Sequence, residues 1–129
     1  MQAPATALVK PKRGQMWEVD FEPQTRKEEP GKRGRPALVI QTDVLNAAGH
    51  ATTIVIPGTS NIYRDTLGDG YPLRVSVGTL GKAKVETDLL IDQIRTIANQ
   101  RFMGDKPIAE LARAQMKRVE EALRTLTGP

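Results

Sequence analysis

Residues 15–21, QMWEVDF, alternate after the opening pair: Trp17, Val19 and Phe21 fall on one side, Glu18 and Asp20 on the other. Successive side chains of an extended backbone point to opposite faces, so this stretch predicts a half-buried β-strand. The neighbouring segments agree. PALVIQ, 36–41, is an apolar run of strand length and predicts a more buried strand. TTIVIP, 52–57, is rich in β-branched residues, which favour a pleated surface. YPLRVSV, 71–77, alternates again with Tyr71, Leu73, Val75 and Val77 on one face, and VETDLLIDQIRTI, 85–97, supplies one or two last strands. TDVLNAAGHA, 42–51, is turn-rich with room for a helical turn. From Pro107 onward Ile108, Leu111, Ala112, Met116, Val119, Leu123 and Leu126 recur at helical spacing, with charged residues opposite. Asp105 is placed to cap this helix, Pro107 fits its first turn and Gly128 ends it. Five or six short strands followed by one amphipathic helix predict a mostly β fold, a small antiparallel barrel or curled sheet with the helix packed on it.

The totals fit one domain. A chain of 129 residues can bury a core without staples, and 39% hydrophobic with 26% charged residues is a globular balance. Residues 1–12 are expected to form a flexible tail and 13–129 a single domain. No apolar run approaches the ~18 residues of a membrane span, and the first dozen residues lack the apolar core of a signal peptide. Cysteine is absent, which excludes disulfides, thiolate nucleophiles and cysteine-based zinc sites and suits a reducing cytoplasm. His50 is the sole histidine, so a nuclease built on paired histidines within the chain is excluded. The net charge of +4 permits a nucleic acid or an acidic protein partner and demands neither.

Charge is concentrated in RKEEPGKRGR, 26–35, which holds five of the 19 lysines and arginines: Arg26, Lys27, Lys32, Arg33 and Arg35. Such a run is commonly a solvated surface loop. Its last arginine differs from the others. Pro36 pushes Arg35 toward an extended backbone, and Gly34 permits close approach of another group, so Arg35 stands at the first rigid point of a strand. A fixed guanidinium there suits bidentate binding of phosphate. In a second loop, PGTSN, the backbone N–H groups and small hydroxyls of Gly58, Thr59, Ser60 and Asn61 can form an anion-binding concavity or an ordinary Ser/Thr turn. Tyr63 and Arg64 follow, a flat ring and a flat cation that could stack a splayed base or simply cover the barrel mouth. Arg95 either pairs with Asp92 or Glu86 or lines the same groove. Neither Asp65 with Asp69 nor Asp88 with Asp92 matches a metal-ligand pattern, so no metal and no cofactor are expected. Trp17 is read as core.

In this order, RGQMWEVDFEP, GRPALVIQTDVLN, IVIPGTSN, DLLIDQIRTI and the final helix resemble the MazF/PemK family of toxin endoribonucleases over roughly residues 13–126. The resemblance implies an SH3-like antiparallel barrel of the CcdB/PemK-like kind with a C-terminal helix. It further implies a homodimer that cleaves single-stranded RNA at short sequences without metal, and a MazE-like antitoxin whose flexible acidic tail covers the RNA groove. Carried over by position, the family's arginine falls on Arg35 and its threonine or serine on Thr59, with Glu28 or Glu29 matching an acidic residue of the first loop. The stretch from Pro23 to Arg35 is about two residues longer than in familiar members. The chemistry implied is attack of a 2′-hydroxyl on the adjacent phosphorus, which needs positioning, charge stabilisation and proton handling but no added nucleophile. Arg26, Lys27, Lys32, Arg33, Ser60, Asn61, Tyr63, Arg64 and Arg95 are then the expected RNA contacts. Two rival readings share the barrel: a gyrase poison acting through protein contacts, and an RNA-binding module without catalysis.

Overall fold

The computed structural model describes residues 9–24, 26, 31–62, 73–81 and 84–128. The strands are β1 (Gln15–Asp20), β2 (Arg33–Val39), β3 (Thr52–Thr59), β4 (Arg74–Leu80), β5 (Val85–Leu90), β6 (Arg95–Ala98), β7 (Phe102–Met103) and β8 (Ala109–Glu110); the helices are α1 (Asp43–Ala47) and α2 (Arg113–Thr127). All pairings are antiparallel. The sheet runs β4-β5-β3-β2-β1-β7, with β6 added to β3 and β8 to β1. It is a nearly closed barrel with one C-terminal helix.

β1, β2 and β3 form its spine, and their sequence explains why. On β1, Trp17 and Val19, with Phe21 just beyond, are buried as the alternation predicts, but Met16 on the other face is fully buried too. β2 shows the same two-sided burial at Ala37, Leu38 and Val39. Continuous apolar runs such as ALVI and IVI are what a strand covered on both faces requires. One core joins Met16, Leu38, Ile56, Val75, Leu89 and Ile91 to Val119 and Ala122 of α2. The second gathers Trp17, Val19, Phe21, Ala37, Val39, Val55, Ile97 and Phe102. In it Trp17 meets Phe102 edge-on at 5.4 Å between centroids, and its indole N–H donates to Gln15 Oε1 at 2.9 Å. Trp17 is therefore core, as expected.

The C-terminal helix begins later than its sequence pattern predicts. Asp105 and Pro107 do not start it. Ile108 N–H donates to Met16 O at 2.8 Å and Leu111 N–H to Gly14 O at 2.9 Å, so this segment extends the sheet as β8. Pairing with the open edge of β1 satisfies these backbone groups and outweighs the helical periodicity. The helix opens at Arg113, where Gln115 Oε1 accepts the Ala112 N–H at 2.9 Å. It docks on β4 through Gln115 Nε2 to Val77 O and Arg118 to Ser76 O, both 3.2 Å. No helix among the described residues is long and apolar enough to cross a membrane. Of the expected tail, residues 1–8 lie outside the described residues; Val9 packs on the second core and Pro11 is buried.

Candidate active site

Between β1 and β2 the register reads Val19 opposite Arg35 and then Asp20 opposite Arg33, so Gly34 is an extra, unpaired residue. It is a β-bulge, with Gly34 at φ 83°, a conformation glycine adopts without strain. The bulge separates two kinds of cation. Upstream, Arg33 is largely solvated, with Asp20 at 3.7 Å, and Lys32 is exposed. Downstream, Arg35 is half-buried and doubly anchored: Nε donates to Gly31 O at 2.8 Å and one terminal nitrogen donates to Gly58 O at 3.0 Å. Desolvation lowers its pKa from the ordinary arginine value, although a guanidinium stays protonated at neutral pH. No described carboxylate forms an ion pair with it. A held, partly desolvated cation with donor positions to spare is suited to an incoming anion.

The Gly58 anchor comes from the end of β3. Pro57 is opposite Ala37 in the β2 ladder, after which Gly58 and Thr59 pair with Leu89 and Asp88 of β5. Gly58 is needed where strands crowd: a Cβ there would lie 2.8 Å from Thr87 Cγ2. β3 thus carries Thr59 beside Arg35. Thr59 Oγ1 accepts the Asn61 N–H at 3.1 Å, closing a small turn. With that acceptance made, the Thr59 hydroxyl hydrogen is available to a ligand.

Arg35, Thr59, Ser60 and Lys32 line one cavity of about 410 Å³, joined by Glu18, whose carboxylate stands over Gly34. Leu80, Val85 and Ile108 give it an apolar rim, Val85 and Ile108 being exposed. The structure therefore brings together Arg35, Thr59, Ser60 and Lys32 of the expected residues, with Arg33 and Asn61 adjoining. Arg26 is exposed in the first loop. Arg95 does not line this cavity; its guanidinium lies 5.4 Å from the Phe21 ring centroid. Lys27, Glu28, Glu29, Tyr63 and Arg64 lie outside the described residues. Asp88 is buried against Arg74, whereas Asp92 is exposed; Asp65 and Asp69 are outside the described residues. Glu18 was not singled out from sequence. Its signal was present, since alternation puts it on the face opposite Trp17, but only the strand pairing opposite Pro36 brings it to Arg35.

A small antiparallel barrel with a C-terminal helix and a fixed cation beside a hydroxyl turn defines the class. The comparisons with known proteins specify it. A family model described as "PemK-like, MazF-like toxin of type II toxin-antitoxin system" matches residues 12–127. The chain is 34% identical over 119 residues to a protein named endoribonuclease MazF9 from Mycobacterium tuberculosis, covering 88% of this chain and 92% of the relative. Among solved structures, MazF from Deinococcus radiodurans superposes with a TM-score of 0.70 at 27% identity, over 92% of this chain and 97% of the other. A MazE–MazF structure from the same organism gives 0.67 at 26%, again over 92% and 97%. The chain belongs to the PemK-like, MazF-like toxin family.

Proposed function

We propose that this protein is an endoribonuclease toxin that cuts single-stranded RNA at short sequences without a metal cofactor. The observation that carries the reading is the pairing of Arg35, anchored at two carbonyls, with the Thr59 hydroxyl in one cavity. The family membership and the activity named for the mycobacterial relative support it.

In the reaction the RNA's own 2′-oxygen attacks the adjacent phosphorus. The 2′-O–P bond forms and the P–O5′ bond breaks, leaving a 2′,3′-cyclic phosphate and a 5′-hydroxyl. Arg35 binds the non-bridging oxygens as charge builds on them, and Thr59 donates a hydrogen bond to the same phosphate. A preorganised donor of this kind contributes about 10²–10³ in rate. A carboxylate accepts the 2′-hydroxyl proton: Glu18 is the described one in the cavity, and Glu28 and Glu29 are the first-loop alternatives. Arg26, Lys27, Lys32 and Arg33 attract the backbone, while Ser60, Asn61, Tyr63 and Arg64 contact bases. The partners that fit are a second copy, as a cytoplasmic homodimer, and an antitoxin with an acidic segment that meets the basic lip at Lys32 and Arg33. The MazE–MazF structure from Deinococcus supports an antitoxin partner.

The test is incubation of pure protein with a long transcript in excess chelator. Discrete cuts ending in cyclic phosphate are expected. Binding without cuts would mark an RNA-binding module, and gyrase-dependent DNA breaks with intact RNA would mark a gyrase poison.

A further inference from the structure

Beneath the Thr59–Asn61 turn lies a buried ion pair that the chemistry above does not use. Asp88 is completely buried on β5, and its Cα pairs with that of Thr59. Arg74, at the start of β4, brings a terminal nitrogen to 3.6 Å from Asp88 Oδ2, and the same nitrogen donates to Asn61 O at 3.1 Å. Asn61 in turn donates its backbone N–H to Thr59 Oγ1 at 3.1 Å. The four residues form a continuous chain, Asp88 to Arg74 to Asn61 to Thr59. Its far end is the hydroxyl that shares the cavity with Arg35.

The location of the pair matters. Thr59 is the last rung of the β3–β5 ladder, and among the described residues no strand pairs with Ser60 or Asn61 beyond it. A turn so released samples other conformations unless side chains fix it. A buried charge pair is a poor way to gain stability, since apolar residues of similar volume commonly do as well. Here it does something that apolar residues cannot, holding the Asn61 carbonyl from below. That tethers residue 61 through its carbonyl, while its N–H occupies an acceptor site on Thr59 Oγ1. The hydroxyl keeps its hydrogen free to donate outward to an acceptor such as a phosphate oxygen.

We infer that Asp88 and Arg74 are positioning residues that set the 59–61 turn so that Thr59 acts as a hydrogen-bond donor to the RNA phosphate. The inference rests on the reading of Thr59 as a phosphate contact.

The experiment compares wild type with Arg74→Met/Asp88→Asn, which removes both charges at nearly unchanged volume. The readouts are kcat and KM on a short RNA, thermal midpoint, and amide hydrogen exchange at Asn61. Expected for the folded double variant are a kcat about tenfold lower with KM changed by no more than about twofold, and faster Asn61 exchange. Should the double variant not fold, Asp88→Asn alone is used, which keeps the side-chain shape, removes one charge and should lower kcat about threefold. Wild-type kcat, or unchanged Asn61 exchange, in whichever folded variant is measured would overturn the inference. If wild type itself does not cut RNA, the ribonuclease reading fails, and the Asn61 exchange comparison still decides whether the pair holds the turn.

Discussion

Arg33 and Arg35 sit two residues apart in one run of charge, yet they are different groups. Arg33 has a side chain 74% exposed and, among the described residues, one loose ion-pair partner, Asp20 at 3.7 Å. Arg35 is half-buried, bonded to carbonyls from two segments, and lies beside Thr59. What separates them is the one-residue bulge at Gly34, which ends the regular β1–β2 register. The comparison teaches that a cluster of like charges does not share one function. Backbone geometry divides it into a solvated part, suited to long-range attraction, and a held part, suited to chemistry.

The comparison can be broken most directly at its held half. Arg35→Ala should lower the cleavage rate by about 10²–10³, as loss of one preorganised donor does. Arg35→Lys should recover only part of it, because an ammonium cannot reproduce the planar fork. Thr59→Val, which keeps the shape and removes the hydroxyl, should lower kcat by about 10² with little change in KM, whereas Thr59→Ser should stay active. Gly34→Val tests the bulge itself. Its positive φ should cost a β-branched residue about 1–2 kcal/mol, seen as a lower thermal midpoint, with cleavage falling as Arg35 is displaced.

The solvated half should behave differently. Lys32→Ala/Arg33→Ala should leave the rate at saturation near wild type. It should flatten the salt dependence of RNA binding by about 1.4 in log–log slope if both cations contact phosphates. The smallest effect lies away from the cavity. Asp43 accepts hydrogen bonds from the Arg13 N–H at 2.8 Å and from Asn46 Nδ2 at 3.0 Å, and these hold its carboxyl below the usual value. A depressed folded value contributes stability above the unfolded carboxylate pKa that is lost as pH falls through the folded one. Urea unfolding of Asp43→Asn at several pH values should therefore show a slightly flatter acid limb than wild type.

Much of this was legible in the residues. Alternation gave β1 its inner face, an apolar run of strand length marked β2, and a β-branched run marked β3. Pro36 and Gly34 marked Arg35 as the fixed cation, which a composition argument alone would have left in a solvated loop. What escaped the sequence was long-range pairing. Residues 108–111 carry a helical pattern, but the free edge of β1 recruits them as a strand. Met16 sits on the polar face of an alternating strand, and only the packing of α2 and β4 around it makes that face part of a core. Glu18 and the Asp88–Arg74 pair were hidden for the same reason: each gains meaning from a partner on another strand.

We propose that Arg35, alone among the described cations of the 26–35 stretch, takes part in the chemical step. Single-turnover cleavage of one short RNA with saturating protein measures that step apart from binding. Folded Arg35→Ala should be slower than wild type by at least about 10², and Lys32→Ala/Arg33→Ala should match wild type within about threefold. Equal rates for wild type and Arg35→Ala, or a larger loss in the double variant than in Arg35→Ala, would contradict the account.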